Sequence, residues 1–409
     1  MGILAPLRGS TPLRGLFRVW GSMSRDVIRI GVLFSCSGSY AAVGRAMRAG
    51  AELAIAEING DATRPVRFEP VAINPGGATE AYVAGVQRLL AEDRLAHVFG
   101  CYTSSSRKEV LPLFEKHDAL LWYPSHYEGF ETSDNVVYTG AAPNQHILPL
   151  ARYLLTHHGK RGWFVGSNYV WAWENNRILR EALTAVGGSV LGERYFSVGD
   201  TDLQPLVDQI LRDRPDFVFM TLIGESAFAF LRLLRSAARR AGLDQARLLP
   251  VASCSLSEAE LPFVGAAADG HLSSSVYFST IASEENARFT RSWGRRFGSL
   301  GPACADAEAT YVAVHLLAAA AEAAGATDAP TIREATRGLS FAAPQGRVTV
   351  DPENLHCWMR PRIGRSTAAG TFDLVFEEAG PLRPDPYLVW SDPLRRAAPS
   401  VGTRLRVVS

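Results

Sequence analysis

Short apolar runs alternate along this chain with small-residue turns and stretches of helical period. VIRIGVLFS (27–35) gives way to CSGSYAAVG and then to Met47, Ala51, Ala54 and Ile58, spaced 4, 3 and 4 apart on one helical face. LAHVFG (95–100) leads through YTSSS into RKEVLPLFEKH and on to ALLWYPS (119–125). RGWFVGS (161–167) leads through NYVWAWENN into RILREALTAVGG, followed by SVLGERYF. PDFVFMTLIG (215–224) precedes a helix with Ala227, Leu231, Leu234, Ala238 and Ala241 on one face, stopped by Gly242 before LLPVAS (248–253).

Strands that are apolar on both faces and alternate with helices predict parallel sheets covered on each side. The expected fold is α/β, with two doubly wound parallel-sheet lobes joined by a multi-strand hinge. Residues 26–143 and about 272–350 are assigned to the N-terminal lobe; 144–271 and about 351–409 to the C-terminal lobe. The tail supplies an alanine-rich helix (305–324), the β-rich FAAPQGRVTVDPEN (341–354) and two strands, RPRIGR and TFDLVFEE. Ligands of such sheets bind beyond the carboxyl ends of the strands. Every turn named above lies at such an end.

Length and composition fit two lobes: 409 residues, of which 47% are hydrophobic and 20% charged. The formal net charge of +1 gives no electrostatic reason to expect direct nucleic-acid binding. The densest apolar run, VAVHLLAAAA (312–321), falls short of the roughly 20 residues of a membrane span. Five widely spaced cysteines form no CxxC motif, which argues against a zinc site and fits a reducing compartment. The first 25 residues hold four arginines, no acid and no apolar secretory core, and read as a disordered extension. A cytoplasmic location follows, with the periplasm as the alternative if translation starts elsewhere.

At the strand ends the chemistry is aromatic and hydroxylic. GCYTSSSRKEVLP (100–112) has neither a GxSxG elbow nor a base in sequence context, so a serine nucleophile, and with it an amidohydrolase, is the weakest reading. Thr103 to Ser106 suit a helix cap. SCSGSYAAVG (35–44) lacks both glycine-loop phosphate motifs, and the nine histidines lack metal spacing. Most of Glu115, Glu128, Glu131 and Asp134 are expected to be solvated. There remain Tyr102, Ser104, Tyr123, Ser125, Tyr169, Trp171 and Ser255, from four separate strand ends. Rigid rings with one polar tip, beside short hydroxyls, suit a small, neutral, planar polar molecule. No cofactor or metal is expected.

The blocks GCYTSSSRKEVLP, LLWYPSHYEGFE, NVVYTGAAPNQ, GSNYVWAWENN, PQGRVTVDPENLHCW and RPDPYLVW resemble the amide and urea branch of the type I periplasmic-binding-protein fold, within the Leu/Ile/Val-binding superfamily. Two relatives compete: the cytoplasmic amide sensor of the aliphatic amidase operon, which restrains an RNA-binding antiterminator, and the substrate-binding subunit of urea ABC importers. The resemblance implies a non-catalytic protein that closes two lobes on a small neutral amide or urea. It carries the sensor's pocket onto Tyr102, Ser104, Tyr123, Ser125, Tyr169 and Ser255. Serines at 125 and 255 stand where the sensor has threonines, which predicts a roomier pocket; Trp171 stands for a tyrosine and His126 for a proline. TLIGES (221–226) is similar to the importers, placing Glu225 as an acidic contact for N–H groups, although an acid there also suits a helix start. The missing secretory core favours the sensor; an ABC permease is the partner in the alternative. A homodimer is compatible with the family.

Overall fold

The computed structural model describes residues 25–391. The expected N-terminal extension lies outside the described residues except for Arg25, which is folded in. Its guanidinium donates to the carbonyls of Ile58, Asn59 and Val66 at 2.7–2.8 Å.

Five strands form the first sheet: β1 (Asp26–Leu33), β2 (Val66–Ile73), β3 (His97–Gly100), β4 (Leu120–Tyr123) and β5 (Val136–Tyr138). They run parallel in the order β2-β1-β3-β4-β5, and β1 pairs with β2 without a break from Asp26↔Val66 to Leu33↔Ile73. β3, β4 and β5 are buried throughout, as strands covered by helices on both faces must be. The second sheet begins with β6 (Arg161–Ser167), β7 (Ser189–Phe196), β8 (Phe217–Thr221), β9 (Val251–Ser253) and β10 (Leu272–Ser275). A small antiparallel sheet follows, of β11 (Ser340–Ala343), β12 (Gly346–Val350) and β13 (Cys357–Trp358). The chain then returns to the second sheet as β14 (Arg362–Ser366) and β15 (Phe372–Glu377), giving the order β15-β14-β10-β9-β8-β6-β7.

The doubly wound, two-lobed α/β fold is thus present, with one departure from all-parallel sheets. β14 runs antiparallel to both its neighbours, β10 and β15, and its connection to β15 is too short for a crossover. β10 pairs in the second sheet, so the chain leaves that lobe after Ser275 rather than near residue 272. Chain crossings after β5, after β10 and before β14 make the hinge. The β11–β13 sheet is tied to the first by an isolated bridge between Tyr138 and His356.

The alanine-rich helix Ala305–Ala324 packs along Ala41–Gly60. Their backbones approach so closely that a Cβ on Gly50 would lie 2.2 Å from the Ala307 carbonyl oxygen. That seating places the first turn of Ala305–Ala324, and Asp306 within it, at the gap between the lobes. All five cysteines are free thiols. Among the described residues no single helix is long and apolar enough to cross a membrane.

Candidate functional site

At the carboxyl end of β3 the chain turns through Cys101, a non-glycine residue at φ 65°. The left-handed conformation costs about 1–2 kcal/mol for an L-residue, and here it delivers Tyr102 and Ser104 to the gap. Thr103 is the helix cap: its side chain accepts from the Ser106 N–H, and Ser104 opens the helix Ser104–His117. The Ser104 hydroxyl donates to the Glu128 carboxylate and accepts from Arg107 at 3.4 Å.

Behind Ser104 lies a buried ion cluster. Arg107 is fully buried, 3.2 Å from Glu128 and 2.7 Å from Glu131, with its guanidinium over the rings of Tyr123 and Tyr127. Lys108 reaches Glu131 at 2.9 Å. Two cations thus face two carboxylates, which makes burial tolerable. Burial alone would raise the Glu131 carboxyl, but Arg107 and Lys108 outweigh it and hold it at about 2. Glu128 and Glu131 are therefore not solvated as expected. An arginine one helical turn beyond Ser104 was the available signal.

β4 ends at Tyr123, and Ser125 and His126 follow. The Ser125 hydroxyl donates to Asp306 Oδ1 at 3.1 Å, and His126 Nδ1 stands 4.0 Å from the same oxygen. Burial pushes the His126 imidazole down to about 3, so it is neutral, and pushes the Asp306 carboxyl up to about 6. From the second lobe come Tyr169 and Trp171 after β6, Ile223 after β8 and Ser255 after β9. The rings of Tyr169 and Trp171 stack at 6.1 Å, and His126 meets Trp171 edge-on at 5.3 Å.

Together Tyr102, Ser104, Ser125 and His126 face Tyr169, Trp171, Ile223 and Ser255 across one gap. The space open to the centre of a water-sized sphere is about 10 Å³, room for about one water. The closed gap is small despite the serines at 125 and 255, and the rings of His126 and Trp171 also line it. Two other expected contacts do not line the gap. Tyr123 is fully buried behind it and donates its hydroxyl to the Tyr102 carbonyl at 2.9 Å. Glu225 is exposed and begins the helix Glu225–Arg240.

The hydrogen-bond inventory of the gap is lopsided. Ser104 and Ser125 both give their proton to a carboxylate behind them, leaving lone pairs forward. Trp171 Nε1 is a buried donor with no partner. No lysine or arginine lines the gap. Asp306, Glu258 and Glu260, unanticipated from sequence, sit deeper, and burial raises the two glutamates to about 7 and 8.

Residues 28–393 match the family described as periplasmic binding protein domain. Over 339 residues the chain is 26% identical to a Leu/Ile/Val-binding protein homolog 6 of Brucella abortus, covering 81% of this chain and 85% of that protein. Its fold is similar to a solute-binding protein of an ABC transporter from Rhodopseudomonas palustris, solved with p-hydroxybenzoic acid. The TM-score is 0.79 at 21% identity, over 90% of this chain and all of that one. A branched-chain amino acid transporter substrate-binding protein of Streptococcus pneumoniae, solved with isoleucine, gives 0.75 at 20% identity, over 87% of this chain and all of that one. Solute-binding proteins hold their ligands without transforming them, and this chain belongs to the periplasmic binding protein family.

Proposed function

We propose that this chain is the substrate-binding component of an ABC importer, and that it closes its lobes on a small solute bearing an amide or urea group. The carrying observation is the orientation of the serines. With the Ser104 and Ser125 protons engaged behind them, these two serines accept from N–H groups, while Trp171 Nε1 and the phenol hydroxyls of Tyr102 and Tyr169 can donate to a carbonyl. An amide or urea brings just that complement of one acceptor and several N–H donors. A carboxylate such as isoleucine or hydroxybenzoate would bring its charge against the serine lone pairs with no lysine or arginine lining the gap.

Transport, rather than the cytoplasmic sensing first expected, is favoured by the family match and by relatives named for amino-acid and aromatic-acid uptake. The partner is then a permease within the cytoplasmic membrane, and nothing in the matches supports an antiterminator partner. Tyr102, Ser104 and Ser125 bind from one lobe, Tyr169, Trp171 and Ser255 from the other. Since the closed gap takes about one water, entry requires the lobes to part. A solute of four heavy atoms has a ceiling near −6 kcal/mol, or tens of micromolar.

Thermal shift with acetamide, propionamide, urea, isoleucine and 4-hydroxybenzoate tests the reading. Ligand at 100 times Kd stabilises by about 2.7 kcal/mol. Amides or urea should raise the midpoint and the two carboxylates should not. A response to a carboxylate alone would sink the proposal.

A further inference from the structure

Two small voids adjoin the gap on its deep side. One, of about 20 Å³, is lined by His126, His146, Ser274 and Asp306; the other, of about 10 Å³, by Ser255, Glu258, Tyr277 and Asp306. His126 lines both of these and the gap itself, so its ring stands where the three meet.

Their walls present acceptors. His146 is fully buried and its Nε2 donates to the Tyr127 carbonyl at 3.0 Å, which leaves the lone pair on Nδ1. That Nδ1 has no hydrogen-bond partner. Asp306 uses Oδ1 to accept from Ser125, and its Oδ2 accepts from no other described residue. Glu258 accepts from the Ser279 N–H through Oε1 only. No lysine or arginine lines either void. Buried acceptors without donors cost free energy unless something supplies the protons. An ammonium group is about the size of a water molecule, so the larger void can take one.

Building on the amide reading, we infer that the solute carries a second, cationic nitrogen, seated past His126 between Asp306 Oδ2 and His146 Nδ1. The ligand class is an ω-amino amide rather than a plain amide. The carbonyl end meets Trp171 Nε1, the amide N–H groups meet Ser104 and Ser125, and the ammonium fills the void behind. The protein has already desolvated Asp306 on folding, so that half of the ion-pair cost is not incurred again on binding.

The test compares propionamide with 3-aminopropanamide, identical but for the terminal ammonium, by calorimetric titration at pH 7.5. The amino amide should bind at least tenfold tighter, and Asp306→Asn should bring the ratio of the two affinities close to one, whatever the absolute values. Should that variant not fold, the ratio in the parent protein still decides. Propionamide binding as well as or better than the amino amide overturns the cationic seat while leaving the amide reading intact. Binding of neither overturns both.

Discussion

Gly224 is the place where closure can be blocked without touching the lining of the gap. It sits at φ 59°, ψ −137°, just before the helix Glu225–Arg240 of the second lobe. A Cβ built on it lies 2.0 Å from the carbonyl oxygen of Ser39, which follows β1 in the first lobe. Side-chain carbons do not come within 3.0 Å of such an atom, so in Gly224→Ala the lobes must stand about 1 Å further apart there. A hydrogen bond near 2.9 Å lengthened by that much is no longer one. Each bond lost contributes about 1–1.5 kcal/mol. If closure normally adds two bonds from the second lobe, the loss is about 2–3 kcal/mol, or roughly 30- to 150-fold in Kd.

The backbone strain of alanine at positive φ is present in open and closed forms alike; the clash with Ser39 exists only in the closed one. The two are therefore separable. Calorimetric titration of a ligand found in the thermal-shift panel gives the affinity, and the ligand-free thermal midpoint gives the strain. Small-angle scattering should show that ligand no longer compacts the variant. A Gly224→Ala protein that binds within threefold of the parent and still compacts would refute the reasoning from closure.

Trp171→Phe keeps the ring and removes the unpartnered N–H, so amide affinity should fall about five- to tenfold, while ligand-free stability changes little because an unsatisfied donor leaves with the indole; titration and thermal melts check both. Arg107→Met strands Glu128 and Glu131 in the interior and should destabilise by about 3–5 kcal/mol in a urea melt; a loss under 1 kcal/mol would show the cluster to be solvated. Burial raises Glu258, Glu260 and Glu308 to about 7, 8 and 8, so the folded state holds protons that the unfolded chain releases. Their contribution is present at low pH and lost as pH rises through those values, so the thermal midpoint should fall between pH 6.5 and 8.5, and Glu260→Gln should flatten the fall. Buried His126 and His146, held at about 3 and 4, act oppositely: the unfolded chain binds protons they cannot, so their contribution is lost below about pH 6.5, and a midpoint that climbs from pH 6.5 to 8.5 contradicts the glutamate assignment.

Much of the fold was legible because its signals are local and periodic. β3 and β4 are continuous apolar runs, and the helix at 305–324 was found to the residue from its composition. Strand-end logic likewise pointed to Tyr102, Ser104, Ser125, Tyr169, Trp171 and Ser255, which line one gap. Tyr123 misled because it is the last residue of its strand: strand periodicity alternates faces, and its ring points behind the gap toward Arg107. Glu128 looked like a surface acid because the partner that neutralises it, Arg107, lies 21 residues away and on another element. Asp306, Glu258 and Glu260 were illegible for the same reason. Their position at the gap depends on how the helix 305–324 seats on 41–60 and where β9 ends, neither of which is written near them.

Several departures from ordinary protein chemistry lie at this gap or beside it. Cys101 is left-handed, Trp171 Nε1 and His146 Nδ1 lack partners, and three carboxylates are buried without a cation beside them. Each is unfavourable alone, and the fold must over-determine them for all to persist together. On the proposed reading, a solute with one carbonyl and a second, cationic nitrogen relieves three of them at once. It gives Trp171 an acceptor and gives Asp306 and His146 donors. The unmet hydrogen bonds then set the direction of the ligand's effect. Closure on such a solute recovers free energy already lost in folding, whereas closure on a carboxylate adds another negative charge to a gap with no cation to meet it.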